Sequence, residues 1–137
     1  MKADRFIDTN VLLYAGSGAS EDREKKQVAL SLLAQPGIGF SAQVFQEFYQ
    51  AAVCKKRLDM THADAVAVLC SLAPFPVLPV TRELVLAAAD LRERCQLSYW
   101  DAAIVAAARE LGCHTLYSED LNPGQSYNGV EVVNPFL

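Results

Sequence analysis

The stretch "FIDTNVLLYA", Phe6 to Ala15, decides how this chain begins to fold. An apolar run destined for a core carries Asp8, Thr9 and Asn10 in its middle. Strand interiors disfavour Asp and Asn. A buried carboxylate without a partner is costly, or shifts its pKa and neutralises. So either the chain turns at this point or the acid has a chemical task, and both readings are carried forward. The flanking residues then divide into a short buried strand, "DRFID", and a short helix, "NVLLYAG", that ends at Gly16.

Working outward, strands and helices alternate. "GSGASED" is a Gly/Ser-rich loop. Glu21 to about Gln35 has helical spacing and is stopped by Pro36-Gly37. "IGFSA" is a second strand. Gln43 to Lys56 is expected to be helical, with Val44, Phe48 and Ala51 on one stripe. "THAD" from Thr61 resembles a capping box for a helix ending near Cys70. "FPVLPV" is a short extended piece. Thr81 caps a helix with Leu84, Ala88, Leu91 and Cys95 on one face. "SYWD" from Ser98 opens another, with Ile104, Ala107, Ala108 and Leu111 inward and Gly112 as its stop. "HTLYS" and "VEVV" are two further strands. This alternation predicts an α/β fold: a parallel sheet of about five strands with helices on both faces. In such open sheets, sites gather at the carboxyl ends of the strands. Asp8 closes the first strand and Asn10 begins the first helix, so the polar triplet lies at that edge.

The 137 residues fit one domain, taken as 1–137. A composition of 52% hydrophobic and 20% charged residues suits a packed core rather than a disordered tail. No apolar run approaches the roughly 18–20 residues of a membrane helix. "MKADRF" does not read as a signal peptide, so a cytoplasmic protein with no membrane partner is expected. Cys54, Cys70, Cys95 and Cys113 form no C-x-x-C pair and are expected to be free, buried thiols. The net charge of −4 argues against a nonspecific electrostatic grip on nucleic acid. It leaves room for a nucleic-acid enzyme, because clustered acids that hold divalent cations reverse the local field.

Four acids stand where an apolar or cap residue would be easier: Asp8, Glu47, Asp101 and Asp120. Each has an ordinary explanation. Asp8 could cap a helix, Glu47 could be a solvated edge residue, Asp101 could complete the Ser98 capping box, and Asp120 could be a turn residue. Taken together they say more. Two fall at strand ends and two near the starts of helices, positions that a doubly wound sheet brings to one edge. Four carboxylates there would repel without a counter-charge, and hard cations such as Mg²⁺ or Mn²⁺ bind oxygen ligands of this kind.

"FIDTNVLLYA", Glu47 within "SAQVFQEFYQAA", "LSYWDAAIVAAARELGC" and "TLYSEDLNPGQSYNGVEVVNPF" resemble the PIN-domain ribonucleases, nearest the VapC-like toxins of type II toxin–antitoxin pairs. The resemblance covers nearly the whole chain. It implies that Asp8, Glu47, Asp101 and Asp120 are the four catalytic acids, and that the activity is Mg²⁺- or Mn²⁺-dependent cleavage of RNA. It also implies a homodimer and a small antitoxin partner that fills the active groove. In that frame Asp8 and Asp101 are direct metal ligands. Glu47 completes the shell or acts as general base. Asp120 holds a second metal or a metal-bound water.

Thr9 or Ser118 would donate a hydrogen bond that fixes a carboxylate. Asn10 would do the same, or would serve only as an early helix residue. Candidates for RNA contact are Arg23, Lys25, Lys26, Lys55, Lys56 and Arg57, which would hold phosphates without reading sequence. Lys55 and Lys56 could instead complement a helix carboxyl end. Tyr14 and Trp100 are expected to pack in the core, with base stacking as the alternative. Two other readings remain. One is a PIN fold that binds RNA without cutting it. The other is a haloacid-dehalogenase-type phosphatase, whose acid/base two residues after the first Asp would here be Asn10.

Overall fold

The computed structural model describes all 137 residues, Met1 to Leu137. "RFI" forms β1 (Arg5–Ile7), and Phe6 and Ile7 are wholly buried, as a strand covered on both faces requires. The chain then turns at Asp8 into α1 (Thr9–Ala15). A single 3-10 turn at Ser20–Asp22 leads into α2 (Arg23–Leu33). β2 (Ile38–Ser41) runs directly into α3 (Ala42–Ala52), followed by α4 (His62–Ser71), β3 (Val77–Leu78), α5 (Arg82–Cys95) and α6 (Tyr99–Glu110). β4 (Thr115–Tyr117), β5 (Ser126–Tyr127) and β6 (Val130–Val133) complete the chain.

The strands lie in the order β3-β2-β1-β4-β6-β5. All neighbouring pairs are parallel except β5 with β6. From β1 the chain steps twice toward the β3 edge, then crosses back over the sheet to β4. Right-handed crossovers therefore put α1 to α4 on one face and α5 with α6 on the other. The packing agrees: α1 contacts α2 and α3, α3 contacts α4, and α6 packs on α5 and against β2, β4 and β6. The reversal of direction falls between β1 and β4, the switch point where open α/β sheets place a crevice.

Local signals account for most boundaries. The hydroxyls of Thr61, Thr81 and Ser98 each accept the N–H of the residue three positions on, capping α4, α5 and α6. α6 is buried along the run Ala102 to Ala108, the pattern of a helix enclosed on all sides. Gly39 in β2 has a packing reason: a Cβ there would stand 2.7 Å from the Ala3 Cβ and 3.2 Å from a Leu111 methyl. No helix is long and apolar enough to cross a membrane.

The α/β fold and its mostly parallel sheet are as expected, and three details differ. The sheet has six strands, the added one being β5, which pairs antiparallel with β6 through Asn128-Gly129. Both turn residues have positive φ, 50° and 93°, as a tight hairpin turn demands. α3 stops at Ala52, so Lys55 and Lys56 lie in the exposed turn beyond it and do not complement its last turn. The four cysteines are free, but only Cys113 is buried, and Cys54 and Cys70 are exposed. Burial, with Asp4 nearby, pushes the Cys113 thiol up to about 12, which keeps it protonated and unreactive.

Candidate active site

Asp8 occupies the N-cap position of α1 with extended backbone, and its Oδ1 accepts the Thr9 N–H at 2.7 Å. The turn and the acid are therefore one feature. Its other oxygen faces β4: Ser118, fully buried just after that strand, donates its hydroxyl to Asp8 Oδ2 at 2.7 Å. The same Ser118 Oγ accepts the Asp120 N–H at 3.1 Å, which bends the chain after β4. Asn10 completes the corner. Its amide donates to Asp120 Oδ2 at 3.0 Å and to Ser118 Oγ at 3.4 Å, and its carbonyl oxygen accepts the Glu119 N–H at 3.3 Å.

Glu47 projects from the middle of α3 and is held at both oxygens. Thr9 Oγ1 donates to Oε1 at 2.7 Å and Gln43 Nε2 donates to Oε2 at 3.3 Å. Gln43 also donates to the Trp100 carbonyl at 3.1 Å, linking α3 to the start of α6. Asp101 enters from the first turn of α6, its N–H on Ser98 Oγ at 3.1 Å. It is thus both a capping-box residue and a wall of the site.

Asp8, Glu47, Asp101 and Asp120 line one cavity of about 720 Å³, with Thr9 and Asn10 beside them. No lysine or arginine pairs with any of the four, since every ion pair of the chain lies elsewhere. The uncompensated charge shows in the acids themselves. Burial pushes the Asp8 carboxyl up to about 7 against the pull of its Ser118 and Thr9 hydrogen bonds, and the charges of Asp120 and Glu47 add to the rise. Asp101 is also raised, first by burial and then by Asp120 and Glu47, with the Ser98 bond opposing.

Such a site suits a hard cation: four carboxylates as oxygen donors, net negative, without an internal counter-ion. No three Asp, Glu, His or Cys side chains stand close enough to make a ready ligand set. That spacing excludes a closed zinc-type cage. It fits an ion such as Mg²⁺, which takes one or two carboxylates directly and keeps several waters.

The basic candidates are placed differently. None of the six lines the cavity. Lys25 is spent on structure: its Nζ donates to Glu119 Oε2 at 3.0 Å and to the Tyr14 hydroxyl at 3.1 Å, and it sits over the Tyr14 ring. Arg57 stands 4.0 Å from Asp22 and also over Tyr14. Arg23 is exposed and Lys26 half-buried on α2. Lys55 and Lys56 are exposed immediately after Cys54, which does reach the cavity. Tyr14 is buried, as expected, and its hydroxyl donates to Glu119 Oε1 at 2.5 Å. Trp100 is the correction: it is 64% exposed on the cavity rim, because only the following residues of α6 turn into the core. Gln43, Gln46 and Gln50 also line the cavity and were not singled out from the sequence. The available signal was helical spacing: Gln43 and Gln50 stand four and three residues from Glu47, and Gln46 three and four from those two glutamines.

An α/β protein with an acidic cleft at the switch point of its sheet is the class these observations define. A profile of the PIN domain family matches residues 5–124, and the chain belongs to that family. No curated protein matches it. Among solved structures, a toxin–antitoxin complex from Klebsiella pneumoniae is similar at 25% identity, over 96% of this chain and 98% of that one, with a TM-score of 0.70. VapC20 of Mycobacterium tuberculosis, described as a sarcin–ricin-loop-cleaving toxin, is similar at 22% identity over 84% and 88% of the two chains, with a TM-score of 0.66. VapBC2 from Rickettsia felis, bound to promoter DNA, is similar at 18% identity over 93% and 96%, with a TM-score of 0.62. The last two likenesses speak for the fold.

Proposed function

We propose that residues 1–137 act as one metal-dependent endoribonuclease domain, a cytoplasmic toxin of a toxin–antitoxin pair. The observation that carries the nuclease reading is the cavity itself: four carboxylates from four separate segments line it, and no cation of the chain pairs with any of them. Asp8 and Asp101 would hold Mg²⁺ or Mn²⁺ directly, with Asp120 and Glu47 acting on its hydration shell. When bound, the ion activates water and neutralises charge developing at phosphorus.

The chain's own groups do the rest. Glu47, fixed at both oxygens by Thr9 and Gln43, is oriented to take the proton of the attacking water. Ser118 and Asn10 hold Asp8 and Asp120 in place. Attack by water with departure of the 3′ oxygen leaves 5′-phosphate and 3′-hydroxyl ends. The phosphatase alternative fails on chemistry: the Asn10 amide carries no titrating proton and is committed to Asp120 and Ser118.

Purified protein with Mg²⁺ or Mn²⁺ is expected to cut single-stranded or looped RNA, and excess chelator to stop it. Undiminished cutting in chelator, or 2′,3′-cyclic phosphate products, would rule the mechanism out. RNA that binds but stays intact would mean that the fold acts by occlusion.

The toxin role, with its homodimer and small antitoxin partner, rests on family membership and on the likeness to the Klebsiella toxin–antitoxin complex along nearly its full length. Induced expression alone should arrest growth, and co-expression of a small adjacent gene should restore it. Normal growth with soluble, active protein would leave a ribonuclease without a toxin role.

A further inference from the structure

Ser41 Oγ is the only buried side-chain nitrogen or oxygen in the chain without a hydrogen-bond partner. A buried hydroxyl left in this state is costly, so something outside the chain is expected to satisfy it. Ser41 ends β2 and stands at the N-cap position of α3 with extended backbone, yet its side chain makes no cap bond. The first N–H groups of α3 therefore also lack a side-chain acceptor, at the positive end of the helix dipole.

Ser41 lines a second, smaller cavity of about 70 Å³. Its walls are mainly apolar: Val80, Leu84, Val85 and Tyr99. It adjoins the acidic cavity, because Gln43, Gln46 and Trp100 line both. Trp100, exposed at this shared rim, packs edge-on against Tyr99 with ring centroids 5.1 Å apart, which steadies its face.

We propose that this second cavity is a base subsite: it takes one pyrimidine of the RNA strand whose backbone lies in the acidic cleft, with the base stacked on Trp100 and a keto oxygen turned to Ser41 and the α3 N-terminus. The assignment rests on the ribonuclease reading above. Three features choose the ligand. No lysine or arginine lines the cavity, so a phosphate would be buried there unpaired. The free Ser41 hydroxyl can donate, which suits the keto oxygen that every pyrimidine carries at C2. The small volume suits one ring better than two. Stacking against an exposed aromatic is a general way to hold a single-stranded base.

Trp100 is the only tryptophan in the chain, so its emission reports the rim that the two cavities share. The test uses full-length Glu47→Gln protein in Mg²⁺, which keeps the proposed metal ligands Asp8 and Asp101 and lacks the proposed base for cutting RNA. Total binding of hexauridylate, hexaadenylate and an abasic ribose-phosphate strand is measured by filter retention, and Trp100 emission is followed in parallel. Hexauridylate should quench the emission over the range in which it is retained, and more tightly than hexaadenylate. The abasic strand should leave the emission unchanged. Adding Ser41→Ala should weaken hexauridylate retention by about threefold to tenfold, and adding Trp100→Ala by about fivefold or more. Retention of the abasic strand should not change in either case.

Ser41→Ala removes an unpaired hydroxyl, so its melting temperature should be unchanged or higher. Hexauridylate that is retained without quenching, or equally well after Ser41→Ala, overturns the subsite and leaves the ribonuclease reading standing. Quenching by the abasic strand overturns the assignment to a base. Failure to retain any strand overturns both readings.

Discussion

Asp8→Asn will cut RNA at least about 100-fold more slowly than wild type, yet the metal-free variant will be the more stable protein. Loss of a partner that merely supports a metal ligand typically costs 10- to 100-fold, and Asp8 is proposed as a ligand itself. The stability half follows from the site's uncompensated charge. Burial, with Asp120 and Glu47 adding to it, raises Asp8 to about 7. A carboxyl with a folded-state pKa above its unfolded value binds more protons folded than unfolded between the two. Its contribution to stability is present at acid pH and is lost as pH rises through about 7. Asn keeps the N-cap of α1 without the charge.

In chelator at pH about 8, Asp8→Asn should therefore melt roughly 5 °C or more above wild type, and the gap should narrow toward pH 5 and close only below about pH 4. Mg²⁺ should raise the melting temperature of wild type and do little for the variant. Thermal melts across this pH range, alongside initial cleavage rates, check both halves. A variant that unfolds in chelator would show that Asp8 serves α1 as a cap and nothing else.

The two roles of Asp8 explain why the opening stretch was readable. A carboxylate at a strand-to-helix corner satisfies local backbone needs, so the turn could be inferred from Asp-Thr-Asn alone. That this corner faces Glu47, Asp101 and Asp120 depends on strand order, and only the alternation of elements hinted at that. Capping hydroxyls at Thr61, Thr81 and Ser98 were legible because each acts within four residues. The β5–β6 hairpin was missed although "YNGV" carries its signal: Asn128 and Gly129 both accept positive φ.

What sequence could not disclose was side-chain direction near helix ends. Trp100 looks apolar and belongs to a helix buried from Ala102 to Ala108, but it sits in the first turn, before that helix enters the core. Lys25 looked like a free phosphate ligand. Its cation instead neutralises Glu119 across a contact separated by 94 positions in the chain, which no local pattern encodes. The Gln43–Glu47 pair, one helical turn apart, was within reach of the pattern.

The same contacts motivate a prediction about which of two neighbouring acids matters more. From the sequence, an extended strand through Ser118 would put Ser118 and Asp120 on one face and Glu119 on the other. In the structure β4 ends at Tyr117, so the alternation has no strand to act through. The separation arises another way. Ser118 Oγ accepts the Asp120 N–H, and the bend that this closes turns Asp120 into the acidic cavity while Glu119 faces Tyr14 and Lys25. Asp120 is held by the Asn10 amide and adds its charge at Asp8 and Asp101. Asp120→Asn should therefore slow cleavage by about 10-fold or more, through loss of a charge acting on the metal's surroundings. Glu119→Gln keeps a hydrogen-bonding side chain for Tyr14 and leaves the Glu119 N–H on Asn10 untouched. It gives up only the part-exposed ion pair with Lys25, of the kind typically worth about 1 kcal/mol or less. Its cleavage rate should fall less than about threefold. Parallel initial-rate measurements on both variants, with folding checked by thermal melts, decide the matter. A larger loss for Glu119→Gln would mean that the Lys25–Glu119–Tyr14 cluster, and not the Ser118 bend, sets the position of the fourth acid.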